Sequence, residues 1–138
     1  MDGKNLSYSS RNYLDFIYRQ STQTGYVRPV DISNGLHVAK PSVTRAVKIL
    51  ETEGMVRKDP RGGIGLTVLG TAVARISRNK REILRIFFDR TIGDRCTLSD
   101  QEMNRIAYSI SDEAIRAIEE YLQKAGPENS IIQKAAFR

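Results

Sequence analysis

One cysteine, one histidine and no tryptophan stand among 138 residues, and each scarcity removes a class of protein. Cys96 alone cannot close an internal disulfide, and with only His37 beside it no structural zinc site, which takes four Cys or His ligands, can be assembled. No apolar run approaches the roughly 18 residues that span a bilayer. The opening Met1-Asp2-Gly3-Lys4-Asn5 lacks the apolar core of a secretion signal. The expected compartment is the cytoplasm, with no membrane partner. Catalytic parts are missing too: there is no nucleophile paired with a base and no metal cluster. The glycines at 62, 63 and 65 lack the G-x-x-x-x-G-K-[ST] spacing of a phosphate loop. The chain is not expected to be an enzyme.

What is present is a core-forming composition, 40% hydrophobic, with a net charge of +6 that is unevenly spread. Residues 1–81 hold 14 Lys and Arg against 6 Asp and Glu, whereas residues 82–138 hold 8 against 10. A phosphate backbone rewards a basic half, because each neutralised phosphate releases counterions; RNA and anionic membranes reward it as well. Within that half, Lys40-Pro41-Ser42-Val43-Thr44-Arg45-Ala46-Val47-Lys48-Ile49-Leu50-Glu51 precedes Gly54. Val43, Ala46, Val47 and Leu50 make one helical stripe, and Ser42, Thr44, Arg45 and Lys48 fall off it. Pro41 suits a first turn and Gly54 a stop, so the helix runs about three turns. Hydroxyls and a guanidinium at its N-terminal end fit a major groove. Alone, the pattern fits an ordinary amphipathic helix equally well, and the neighbouring segments decide.

Upstream, Ser9-Ser10 opens a first helix with Tyr13, Leu14, Ile17 and Tyr18 on one face, ending before Thr24-Gly25. Tyr26-Val27-Arg28-Pro29-Val30 reads as a short extended piece, confined to an edge by Pro29. Asp31 is the expected N-cap of a short second helix, and His37-Val38-Ala39-Lys40 the turn into the third. His37 has no second histidine to work with and reads as structural. From Met55 to Leu66 the period changes to two around Asp59-Pro60-Arg61-Gly62-Gly63, a hairpin with a basic tip, placed where a wing belongs. Thr67 then caps a long helix running to about Thr91. Ser99-Asp100-Gln101-Glu102 is a capping box, and Ser111-Asp112-Glu113 caps a last helix ended by Gly126-Pro127. Phe87, Phe88, Ile115 and Ile118 are more apolar than two short helices need, which favours a homodimer interface over an intramolecular core.

Tyr13-Leu14-x-x-Ile17-Tyr18, Pro41-Ser42-Val43-Thr44, Leu50-Glu51-x-x-Gly54, Leu66-Thr67-x-x-Gly70, Ile92-Gly93 and Ser111-Asp112-Glu113 together resemble the diphtheria-toxin-repressor and manganese-transport-regulator family, collinearly over about residues 9–124. The resemblance implies a homodimeric transcriptional regulator, in the short form without a further C-terminal domain. It also implies transition-metal sites tying the first helix to the long helix and the helix after it. At the corresponding positions stand Asn12, Asp15, Arg81, Asn104, Ala107 and Tyr108, of which only Asp15 is a good ligand; Arg85 and Asp100 occupy second-site positions. A guanidinium repels a divalent ion, and Arg81 is expected to pair with Asp15 in its place.

The expected architecture is mostly α: a winged helix-turn-helix DNA-binding domain over 1–70, a long linker helix with a helical dimerisation domain over 71–125, and a tail over 126–138. The expected function is a homodimeric repressor bound to a roughly palindromic operator in double-stranded DNA and not gated by a transition metal. Ser42, Thr44 and Arg45 read bases; Lys40, Lys48, Arg57, Lys58 and Arg61 hold phosphates, with Arg28 and Pro41 also placed at the DNA. The alternatives are a manganese- or iron-dependent repressor using a displaced site, at Asp15, Asp100, Glu102 and Cys96, and a winged helix used as a protein-interaction module.

Overall fold

Capping chemistry sets where the helices begin. In this computed structural model, which describes residues 6–125, the order is α1 (Tyr8–Thr24), α2 (Pro29–Leu36), α3 (Lys40–Thr52), β1 (Val56–Lys58), β2 (Ile64–Leu66), α4 (Val68–Ile92), α5 (Asp100–Ser109) and α6 (Asp112–Ala125). The opening residues 1–5, the Gly126-Pro127 stop and the tail over 126–138 lie outside the described residues. Ser7 caps α1, its hydroxyl accepting from the Ser10 amide, so the helix starts earlier than Ser9-Ser10 suggests. Thr67 caps α4 by accepting from the Gly70 amide at 3.0 Å, and Ser111 caps α6 by accepting from Ala114 at 3.1 Å. At α5 the capping box is complete: Ser99 Oγ accepts from the Glu102 amide, and Glu102 accepts from the Ser99 amide at 2.8 Å.

The expectation fails between Tyr26 and Asp31. Pro29 is not an edge residue of an extended piece but the first residue of α2, where its missing N–H costs nothing. Asp31 therefore falls in the first turn of α2 rather than at its cap. Val27 is the residue of this stretch that pairs as a strand, exchanging two 2.8 Å backbone hydrogen bonds with Ile64. It adds a third strand position to the antiparallel β1–β2 hairpin, whose register pairs Val56 with Leu66 and Lys58 with Ile64.

The chain divides into two compact units, the division falling inside α4 between Ile76 and Ser77. The first is a winged helix: α1, α2 and α3 with the hairpin after them, around Leu14, Ile17, Ile32, Val47, Leu50 and Ile64, all at most 2% exposed. Gly70 marks its tightest approach, since a β-carbon there would collide with the Met55 carbonyl oxygen. The second unit gathers Ile83, Leu84, Met103, Ala107 and Ile115 into a smaller core. Its helices are tied by a salt bridge of 2.7 Å from Lys80 on α4 to Asp112 on α6. Among the described residues, no helix is long and apolar enough to cross a membrane.

Candidate nucleic-acid interface

The turn between α2 and α3 is tight because His37 takes a left-handed conformation, φ 56° and ψ 48°, and the Ser33 hydroxyl donates to the Val38 carbonyl at 2.6 Å. α3 then buries Val43, Ala46, Val47 and Leu50, the predicted stripe. Lys40, Pro41, Thr44, Arg45 and Lys48 are exposed and Ser42 is half-buried. Thr44 donates its hydroxyl proton to the Lys40 carbonyl at 3.2 Å, which leaves its lone pairs and methyl for an outside partner. In the hairpin, Arg57, Lys58 and Arg61 are exposed. The Asp59 carboxylate shapes the tip, accepting from the Arg61 amide at 3.0 Å and the Gly63 amide at 2.6 Å, while Gly62 takes φ 86°.

Arg28, expected at the DNA, also has a partner within the chain. Its guanidinium forks onto the Asp31 carboxylate, Nε at 3.0 Å and Nη2 at 3.1 Å, across the start of α2. That hydrogen-bonded pairing raises the Arg28 pKa and lowers that of Asp31. A phosphate reaching Arg28 must share it with Asp31.

The dimerisation set also divides. Ile115 is 6% exposed and belongs to the core of its own unit, against which Phe88 and Ile118 pack. Phe87 lies edge-on to Phe88 at 5.5 Å and to Tyr121 at 6.2 Å between centroids, and Tyr121 remains 39% exposed. Tyr121 is absent from the expected dimerisation set, and its exposure beside Phe87 needs the packed unit. Ile49, 46% exposed on α3, lies off the buried stripe and carries no signal in the sequence alone. The Lys80–Asp112 pair, far apart in sequence, carried no local signal.

The positions where the resemblance implies metal ligands hold other interactions. In the first unit, Asp15 pairs with Arg19 at 3.2 Å and Asn12 is half-buried. In the second, Arg81 Nη1 donates to Asn104 Oδ1 at 2.7 Å. Ala107 is buried and has no donor atom, and Tyr108 is 38% exposed. Glu102 is committed to its capping box, Asp100 and Cys96 are exposed, and Arg85 is hydrogen-bonded to Glu82. Among the described residues no three His, Cys, Asp or Glu side chains are placed to hold one ion. An amide oxygen already accepting from a permanent cation is a poor ligand for a divalent metal. Within the second unit, Arg81, Asn104 and Ala107 do not fit a transition-metal ion.

A winged helix whose third helix and hairpin expose basic and hydroxyl side chains is a DNA-binding fold. A sequence model described as the N-terminal DNA-binding domain of the iron-dependent repressors matches residues 5–64. The HTH-type transcriptional regulator MntR of Shouchella clausii (strain KSM-K16) is 30% identical over 115 residues, covering 83% of this chain and 80% of that protein. The crystal structure of T. acidophilum IdeR is similar with a TM-score of 0.69 at 27% identity, over 82% of this chain and 53% of that one. The manganese regulator SloR shares the fold, with a TM-score of 0.70 at 23% identity over 83% of this chain and 53% of that one. The chain spans about half the length of these two structures. The chain belongs to the iron-dependent-repressor family of DNA-binding transcriptional regulators.

Proposed function

We propose that the protein is a homodimeric, sequence-specific transcriptional repressor that binds a roughly palindromic operator in cytoplasmic double-stranded DNA. The observation that carries this reading is the exposed face of α3 and the hairpin. Arg45, Lys48, Arg57, Lys58 and Arg61 all stand outside a winged-helix core that is complete without them. Ser42, Thr44 and Arg45 contact base edges, Arg45 suiting guanine, while Lys40, Lys48, Arg57, Lys58 and Arg61 hold phosphates. Phe87 and Tyr121, with Phe88 and Ile118 behind them, form the dimer contact. Ile115 supports it from within the core.

The finer reading concerns the effector. The family description names iron and the name of SloR names manganese, which favours metal control. This chain's own residues favour its loss: two positions implied as ligands are joined directly by the Arg81–Asn104 hydrogen bond, and a third is Ala107. The proposed regulator therefore binds DNA without a transition metal, α4 and α5 being held by that hydrogen bond. Fluorescence titration of a selected operator tests both parts. Affinity is expected to fall steeply with salt, as counterion release requires, and to be unchanged by chelator or by added manganese or iron. A strong reversible metal dependence refutes the second part and restores a metal-gated repressor. Absence of salt-dependent binding to DNA refutes the first and leaves a protein-interaction module.

A further inference from the structure

We infer that Ile49 is a specificity-determining residue whose side chain packs on the 5-methyl group of a thymine about two base steps from the base contacted by Arg45. The inference deepens the DNA-binding reading and rests on it. Ile49 stands outside the stripe that α3 buries and is 46% exposed. It takes no part in the core of its unit. A β-branched residue is also a poorer helix former than the Lys, Arg or Ala that an exposed helix position ordinarily favours. Neither folding nor helix propensity accounts for an isoleucine there.

Isolated apolar side chains are common on protein surfaces, so exposure alone decides nothing. Placement does. Ser42, Arg45 and Ile49 are spaced i, i+3 and i+7, which sets them in one line along the free face of α3. Lys48 and Thr52, both exposed, run beside that line. An apolar group entering a major groove along this line meets polar base edges everywhere except at thymine, whose methyl is the apolar feature displayed there. Four residues separate Ile49 from Arg45, a rise of about 6 Å, against a base spacing of about 3.4 Å. The two side chains thus address different base pairs, one by hydrogen bonds and one by apolar contact.

The experiment begins with selection of an operator from random-sequence duplexes by the full-length protein. Each thymine is then replaced by deoxyuridine, which deletes only the methyl, and affinities are measured for the wild type, Ile49→Ala and Arg45→Ala. Losing burial of one methyl predicts a penalty of about three- to fivefold at one thymine per half-site in the wild type. The same penalty is expected in Arg45→Ala, and less than about half of it in Ile49→Ala by the same area argument. A penalty absent from every thymine, or equal in wild type and Ile49→Ala, overturns this inference while the DNA-binding reading stands. Failure to enrich any sequence overturns both. Ile49→Ala removes an exposed side chain, and an unchanged melting temperature shows that any effect arises at the DNA.

Discussion

Changing Arg81 and Asn104 to alanine, singly and together, isolates the hydrogen bond that joins the second half of α4 to α5. The bond is 2.7 Å long, its donor carries a full charge, and both residues are half-buried. Hydrogen bonds to charged groups contribute about 1.5–3 kcal/mol, and partial solvent access places this one near the lower end. A single substitution cannot isolate it, because Arg81 has other partners whose loss would be counted too. The coupling energy from a double-mutant cycle removes those contributions and is expected to be about 1–1.5 kcal/mol in urea unfolding. In a small unit a loss of about 1 kcal/mol lowers the melting temperature by roughly 4–8 °C. The same four proteins are melted with chelator and with manganese. A coupling energy below about 0.3 kcal/mol, or a wild-type melting temperature raised by manganese, refutes the claim that this bond replaces an ion.

Arg45→Ala should cost about 1–3 kcal/mol on the selected operator and flatten its base preference, whereas Arg61→Ala should weaken all sequences alike and shallow the salt slope; competitive titrations separate the two. Sedimentation should give about twice the chain mass of 15.6 kDa, and Tyr121→Glu should return it to monomer. Gly70→Ala places a β-carbon against the Met55 carbonyl and should destabilise the winged helix by about 3 kcal/mol or more, read by denaturant unfolding. The Ser99 amide, then the Ser99 hydroxyl, hold the Glu102 pKa below its usual value. Its stabilising effect is thus complete above the ordinary glutamate range and lost as pH falls through the depressed value. Glu102→Gln, which keeps an acceptor oxygen, should flatten that part of the acid limb in thermal melts.

The elements best read from sequence are those marked by local chemistry. Thr67, Ser99 and Ser111 declare helix starts through side chains that bond amides three residues on, and the alternation around Asp59–Gly63 declares the hairpin. Pro29 is ambiguous in sequence because proline breaks a strand and opens a helix equally well, and the Val27–Ile64 pairing is what limits the strand. The recognition stripe on α3 was legible because four apolar residues share one face; the state of Ile49 depended on what packs beside it. Arg28 also pairs with Asp31 three residues on, and Ile115 also serves the second unit's own core, neither of which the motif reading includes. The Arg81–Asn104 bond lay beyond sequence because nothing local brings two residues so far apart in the chain together.

The Val27–Ile64 pairing makes the chain intolerant of length changes in one loop and indifferent to them in another. Gly25, at φ 84°, ends α1, and two residues later Val27 must already face Ile64 in register. One residue inserted between Gly25 and Arg28 would turn Val27 out of the core, where it is 4% exposed, and detach the wing from the end of α1. The tip from Asp59 to Gly63 closes on its own Asp59 carboxylate and touches no such register. Insertions and deletions among functional variants should therefore collect at the wing tip and be absent from residues 25–28.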